Sequence, residues 1–276
     1  MTANDGEFSL LRLVPGVLRA RDFRLYTQGG RRLIDLWQNG GAAILGHTPP
    51  SLLRELKNTA SRGLYAPLPH FLEQRFIKAL SHLFPGRSFR LYNSAPAALD
   101  SLIQAGTAAL WRPFLDPAAS LAALPDTPAL VPVLPGIQGW RGGLPQGLCV
   151  LALSPAFESE NSLPPGEFLP PVLLAVATRG IYDLITAAPE RAKPAYPRIA
   201  RALKESPWQR RGIYLTLHTA PAETDAPAES EAWPAFFRRF LEAGFLLPPI
   251  PSHPLILPGV LSPGEEAKLA MALQRA

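Results

Sequence analysis

The chain has 276 residues, of which 47% are hydrophobic and 18% charged, so it can bury a sizeable core and is not a disordered protein. Its net charge is +5, but the arginines are scattered and no basic block is interleaved with aromatic residues, which argues against a nucleic-acid partner. The single cysteine excludes an intramolecular disulfide, and no histidine pair has metal-ligand spacing, so we expect no metal site. With neither a secretory signal pattern nor an apolar run near the roughly 20 residues of a membrane span, we expect a cytoplasmic protein without a membrane partner.

The first third of the chain predicts a ribbon followed by two helices. Residues 23–36 alternate in the manner of two strands around a glycine turn at 28–30. A helix is predicted after Thr48, with leucines on one face, and another from His70 to Phe84. His47 belongs to the Gly-His turn before the first helix, where we expect a structural role.

The segment Ser88–Gly106 predicts a strand, a tight polar turn and a helix. Asn93 and Ser94 are good N-cap residues, and the apolar residues after them recur at helical spacing. Such a turn places backbone N–H groups at a helix N-terminus, where an anion can bind. The alternative is a βα unit that binds nothing, since most capped turns bind no ligand.

The remaining segments alternate between strands and helices. Apolar runs predict buried strands at 129–134, 148–153, 171–177, 212–217 and 245–247. Helices are predicted at 195–205, 233–243 and from 263 to the end, and the acidic segment 220–231 is predicted to be a surface loop. This order indicates an α/β fold with a mixed or parallel sheet and a small α+β domain at the C-terminus.

Six blocks of the sequence resemble the class III aminotransferases of the pyridoxal-phosphate (PLP) fold type I group, and within them the glutamate-1-semialdehyde aminomutases. The blocks are Tyr26–Asp35, Ile44–Leu56, Gly63–Pro69, Phe71–Leu83, Ser88–Gly106 and Phe236–Leu273. The resemblance implies a reduced, degenerate large α/β domain over 61–219, an N-terminal segment over 1–60 and a small α+β domain over 220–276. It also implies a homodimer, because in that family the active site is built at the subunit interface.

The resemblance also implies where a PLP phosphate and ring would bind. The vestigial cofactor-binding residues are Asn93 and Ser94 in the phosphate turn, and Gln138 and Trp140 in the segment that stacks on the ring. The turn has Pro96, which has no N–H to donate, and a glutamine stands where the family has a histidine.

The residues that drive PLP chemistry are the least preserved part of the resemblance. Ala175 and Val176 stand where the family has its carboxylates, and Pro189 stands at the Schiff-base lysine. We therefore expect an aminotransferase-like protein that has lost PLP catalysis, with no cofactor, no catalytic residue and a binding or interaction role. The alternative is an active PLP-dependent aminotransferase or aminomutase that uses a relocated Lys193; the sequence does not identify a small-molecule ligand.

Overall fold

A computed structural model describes residues 9–115, 121, 126–141, 143–161, 163–191, 195–217 and 228–274. The chain divides into unit 1, formed by Met1–Thr48, Phe114–Ser120 and Pro189–Ala276, and unit 2, formed by Pro49–Pro113 and Leu121–Ala188. The domain boundaries predicted at 60 and 219 stay a prediction, and position 219 lies outside the described residues.

The described residues include twelve strands and eight helices. The strands are β1 (Val17–Arg21), β2 (Arg24–Thr27), β3 (Arg32–Asp35), β4 (Ser88–Ser94), β5 (Ala108–Trp111), β6 (Ala129–Pro132), β7 (Gly139–Arg141), β8 (Leu144–Leu153), β9 (Trp208–Arg211), β10 (Tyr214–Leu217), β11 (Phe245–Leu246) and β12 (Leu255–Ile256). The helices are α1 (Pro50–Ala60), α2 (Leu72–Leu83), α3 (Ala98–Gln104), α4 (Pro155–Glu160), α5 (Pro171–Arg191), α6 (Pro197–Ala202), α7 (Ala228–Glu242) and α8 (Pro263–Gln274).

Unit 1 contains two small sheets around one apolar core. The first has the order β1-β2-β3-β11, in which β11 runs parallel to β3 and the other pairs are antiparallel. The second is antiparallel with the order β12-β10-β9. Aromatic side chains from the strands and from α7 fill much of the core between them: Trp208, Trp233, Phe237, Phe240 and Phe245.

The start of α8 is fixed by a capping box and a buried ion pair. Glu265 N donates to Ser262 Oγ at 3.3 Å, and Ser262 N donates to Glu265 Oε2 at 2.8 Å. Arg24 donates to both oxygens of the same carboxylate, at 2.9 and 2.6 Å. Burial alone would raise the pKa of Glu265, but its hydrogen bonds and the charge of Arg24 together lower that pKa to about 2.

Unit 2 is built on one mixed sheet with the order β4-β8-β6-β5, and β7 pairs with the start of β8. β5 and β6 are parallel, whereas β8 runs antiparallel to both β4 and β6. The predicted α/β class with a mixed sheet is therefore correct. Buried side chains of the sheet, of α3 and of α4 form one cluster: Tyr92, Leu99, Ala108, Ala129, Val131, Leu144, Cys149, Leu151, Leu153 and Phe157.

The strand predicted at 171–177 is wrong, because these residues form the first part of α5. A continuous apolar run is compatible with a buried strand or a buried helix, and periodicity within seven residues does not separate the two. Over the whole helix the burial pattern is helical, with buried positions three and four residues apart: Leu174, Ala177, Ile181, Leu184 and Ala188.

Among the described residues, α5 is long and apolar enough to span a membrane by length and composition, and 56% of its most apolar window is buried inside the protein. The sequence prediction had found no apolar run of that length. Core helices of soluble proteins have the same properties.

Candidate functional site

The turn after β4 is the predicted phosphate-binding position, and the structure places it at an exposed edge of unit 2. β4 continues to Ser94, which lies opposite Gln146 of β8. α3 begins only at Ala98, and the residue before it, Ala97, makes no side-chain cap. The prediction that Asn93 and Ser94 are N-caps is therefore wrong, because pairing with β8 extends the strand through both residues.

A carboxylate of the chain itself lies against this turn. Glu167 Oε2 accepts hydrogen bonds from Asn93 N at 2.8 Å and from Asn93 Nδ2 at 3.1 Å. The neighbouring Tyr92 hydroxyl donates to Pro164 O at 2.7 Å, which holds the segment of Glu167 beside β4. The backbone donor at Asn93 therefore has an internal acceptor, and Pro96 has no N–H to contribute.

The segment predicted to stack on a cofactor ring is packed into the interior of unit 2. Gln138 is buried and donates from Nε2 to Leu148 O at 2.7 Å. Trp140 is buried within β7, opposite Pro145. Pro135, the first residue of this segment, lies against α5 so closely that a Cβ atom at Gly180 would be 2.2 Å from Pro135 O.

Strand β8 separates the two pairs of predicted cofactor-binding residues. Gln146 lies opposite Ser94 on one side and opposite Gly139 on the other. Asn93 and Ser94 are exposed on the first side, whereas Gln138 and Trp140 are buried. One strand therefore lies between the exposed pair and the buried pair.

The described lysines are all exposed. Lys57, Lys78 and Lys268 lie on α1, α2 and α8, and Lys204 lies in a short 3-10 turn. Lys193, the lysine of the alternative prediction, lies outside the described residues. Exposed helical lysines are solvated, whereas the amine of a Schiff-base lysine is desolvated or lies beside another cation.

The positions aligned with the carboxylates and the Schiff-base lysine all lie within α5. Ala175 and Val176 are buried in the first third of that helix, and Pro189 is in its last turn. The resemblance places the carboxylates at the end of a strand and the lysine in a loop after it. In the structure all three positions lie inside one helix, so none of them is at a strand end.

The Gly-His turn of unit 1 forms a closed polar network, as its predicted structural role requires. Asp35 is buried, and its Oδ1 accepts from the backbone N–H groups of Trp37 and Gln38, each at 2.8 Å. Its Oδ2 lies 2.8 Å from His47 Nε2. Gly46 has φ +95° and approaches Asp22 so closely that a Cβ atom there would be 3.3 Å from Asp22 Cα.

Two further side chains have structural functions. Cys149 is buried in β8, and burial raises the pKa of its thiol to about 12, so it is not a thiolate nucleophile near neutral pH. Ser154 caps α4 by accepting from Phe157 N. Within the described part of the chain, no three His, Cys, Asp or Glu side chains are grouped as metal ligands.

Sequence reasoning missed Glu167, Glu265 and the buried Arg191, which donates to the carbonyls of Ile44 and Leu257. The Ser-x-x-Glu spacing before α8 is a signal that could have identified Glu265. The partners of Glu167 and Arg191 are far away in the sequence, so no local pattern indicates them.

No family model matches this chain, but comparison with individual protein sequences finds relatives. An uncharacterized protein of Treponema pallidum (strain Nichols) is 28% identical over 278 residues, which cover 90% of this chain and 91% of that protein. A glutamate-1-semialdehyde 2,1-aminomutase of Sorangium cellulosum (strain So ce56) is 35% identical over 69 residues, or 25% of this chain and 16% of the enzyme.

Superposition on solved structures identifies the fold. A transaminase with PLP bound superimposes with a TM-score of 0.63 and 16% identity, over 98% of this chain and 96% of that one. A glutamate-1-semialdehyde aminomutase from Pseudomonas aeruginosa PAO1 gives a TM-score of 0.62 and 15% identity, over 94% of this chain and 86% of the enzyme.

The fold is that of the class III aminotransferases. At these identities the likeness shows the fold alone. Whether this chain is a shortened and degenerate form of such enzymes stays a prediction.

The expectation of no cofactor is contradicted by these comparisons. The structural neighbours are PLP-dependent aminotransferases, and one was solved with PLP bound. The expectation took the loss of catalytic residues to mean the loss of the cofactor. Binding PLP and performing covalent chemistry on it depend on different groups, because the first needs phosphate and ring contacts and the second needs a lysine amine.

Proposed function

We propose that this chain is an aminotransferase-fold protein that does not perform lysine-dependent PLP catalysis and has a binding or interaction role. The observation that supports it is the position of the lysines. Lys57, Lys78, Lys204 and Lys268 are exposed on helices or a helical turn, so none of the described amines is desolvated.

A second observation concerns the cofactor-binding residues. In the described part of unit 2, Asn93 pairs with Glu167, while Gln138 and Trp140 are buried on the other side of β8. These groups fit structural functions and do not supply a lysine.

The alternative function is a PLP-dependent aminotransferase or aminomutase in which Lys193 forms the covalent link. A trapping experiment distinguishes it from our proposal. The protein is incubated with PLP, reduced with borohydride and analysed by intact mass and peptide mapping, beside the variants Lys193→Arg and Lys204→Arg. We expect only scattered, substoichiometric labelling of surface lysines, equal in all three proteins. One adduct per chain that Lys193→Arg abolishes and Lys204→Arg leaves intact would establish the alternative.

PLP binding is measured separately with pyridoxine phosphate, which has the ring and the phosphate but no aldehyde. The binding measurement and the trapping experiment are independent, because a lysine is needed only for the covalent adduct. Binding without an adduct is the combination that an aminotransferase fold without its reaction predicts.

A homodimer and a cytoplasmic location belong to the same proposal, and the first is supported by the resemblance to enzymes whose active site lies at the subunit interface. Sedimentation at micromolar concentration tests it. A single monomeric species would contradict the dimer without affecting the trapping result.

A further inference from the structure

Strand β1 is an exposed edge of the four-stranded sheet in unit 1. Within the described residues it pairs with β2 alone, so no described strand covers its other side. β11 lies at the opposite edge of the same sheet, and both of its residues are buried. The two edges of one sheet therefore differ in their access to solvent.

The exposed side chains of β1 include aliphatic residues as well as arginines. Val17 is 46% exposed and Leu18 is 69% exposed, next to a register irregularity between Val17 and Arg19. Open N–H and C=O groups of an edge strand pair with other chains, and charged side chains at the edge disfavour partners of like charge. An edge that presents aliphatic side chains is suited to strand addition.

The charge of β1 is positive. Arg19 lies over the Tyr26 ring, with its guanidinium carbon 4.3 Å from the ring centroid. Arg21 contacts Asp22 at 3.9 Å, but both side chains are mostly in water, so this contact neutralises little of its charge. An added strand therefore meets two arginines together with two aliphatic side chains.

A second copy of β1 is a poor occupant for this edge. Antiparallel pairing over the full length of Val17–Arg21 would place Arg19 directly opposite Arg19 of the other copy. Like charges directly opposite each other destabilise a strand pair. An extended peptide that alternates acidic and aliphatic residues meets the arginines with carboxylates and the leucine and valine with apolar side chains.

We propose that the free edge of β1 binds an extended acidic segment of a partner protein by strand addition. Backbone hydrogen bonds to β1 supply the docking, and Arg19 and Arg21 select for carboxylates. None of the predicted cofactor-binding residues belongs to β1, so the proposal is independent of PLP chemistry.

Fluorescence anisotropy with the full chain tests the proposal, using a labelled short peptide of alternating glutamate and valine. The comparison peptides replace glutamate by lysine, or methylate alternate backbone nitrogens to remove the hydrogen-bond donors. We expect binding of the acidic peptide, and a loss of about tenfold or more in affinity for either comparison peptide.

Two variants locate the binding on the chain. The double change Arg19→Glu with Arg21→Glu should weaken binding about tenfold, whereas Arg54→Glu with Arg62→Glu, at exposed positions of unit 2, should leave it within twofold. Circular dichroism confirms that both variants are folded. Equal binding of the methylated peptide, equal loss in both variants, or no saturation at roughly 1 mM peptide would overturn the proposal. So would a dimer that the change at Arg19 and Arg21 dissociates, since a second copy would then occupy the edge.

Discussion

The two segments that carry the aminotransferase resemblance most specifically, the Gly-His turn of unit 1 and the turn after β4 in unit 2, differ in how their polar groups are used. At the Gly-His turn, Asp35 is 1% exposed and binds two backbone N–H groups and a histidine. At the turn after β4, Asn93 and Glu167 pair in the solvent.

This difference shows how strongly each turn is constrained by the folded structure. A buried carboxylate that satisfies three donors is costly to remove, since each donor left unpaired in the interior loses its hydrogen bond. A solvated turn has no such constraint and can exchange a ligand contact for an internal one. The polar groups of the Gly-His turn therefore stabilise the fold, whereas those of the turn after β4 contribute little to its stability.

The largest expected effect is at Gly180, in the helix that supports the predicted stacking segment. In Gly180→Ala, the new Cβ atom would meet Pro135 O, so α5 or the segment must move; we expect a loss of about 3 kcal/mol. Urea unfolding monitored by circular dichroism measures it. Gly264→Ala, in the first turn of α8 with open space around the new atom, is the matched control and should be neutral or stabilising. Unchanged stability of Gly180→Ala would mean that the segment is not packed on α5.

Asp35→Asn tests the buried hydrogen-bond network of the Gly-His turn. The amide cannot accept from two backbone N–H groups and the histidine as the carboxylate does, so we expect a loss of about 2 kcal/mol. The unfolding midpoint in urea, at an unchanged slope, is the measurement. A loss as small as that of a surface substitution would contradict the account of this network.

The ion pair between Arg24 and Glu265 at the start of α8 makes the stability of the protein depend on pH. Because the folded pKa of Glu265 is lowered to about 2 from 4.5, its stabilisation is fully present above pH 4.5 and is lost as the pH falls towards 2. Glu265→Gln keeps the capping-box geometry and removes the charge, so we expect a loss of about 1–2 kcal/mol near neutral pH. The difference in unfolding free energy between wild type and variant should narrow below pH 4.5; a constant difference down to pH 2 would refute this assignment.

Glu167→Gln should have the smallest effect. Both partners of the Asn93 contact are exposed, so we expect a change of no more than about 0.5 kcal/mol. Thermal unfolding checks it beside Asp35→Asn. If the two substitutions cost the same, the distinction between the buried and the solvated turn is wrong.

Much of the fold follows from local patterns in the sequence. The strand predicted at 129–134 is β6, that predicted at 148–153 is the second half of β8, and the helix predicted from His70 to Phe84 is α2. Each of these segments has an unambiguous apolar period or a proline and glycine boundary. The run at 171–177 has a proline boundary at its start but no period that separates a strand from a helix, and its helical state is evident only from burial along the whole of α5.

The candidate site was harder to predict than the fold, because the conformation and partners of its residues depend on contacts between distant parts of the chain. The turn at Asn93 and Ser94 has the composition of a helix cap, yet pairing with β8 keeps it extended. The carboxylate that binds Asn93 comes from Glu167, 74 residues later. A glycine at position 180 is a poor helix former, and the reason for it is the carbonyl of Pro135 rather than anything in its neighbourhood in sequence.

The most direct test of the central claim is conversion of PLP to pyridoxamine phosphate when an amino donor is added to the protein with PLP, followed by chromatography. Because the described lysines are all exposed on helices or a helical turn, we predict conversion no faster than that of free PLP with the same donor. Conversion of one equivalent per chain, abolished by Lys193→Ala and retained in Lys204→Ala, would show that the fold still performs its reaction.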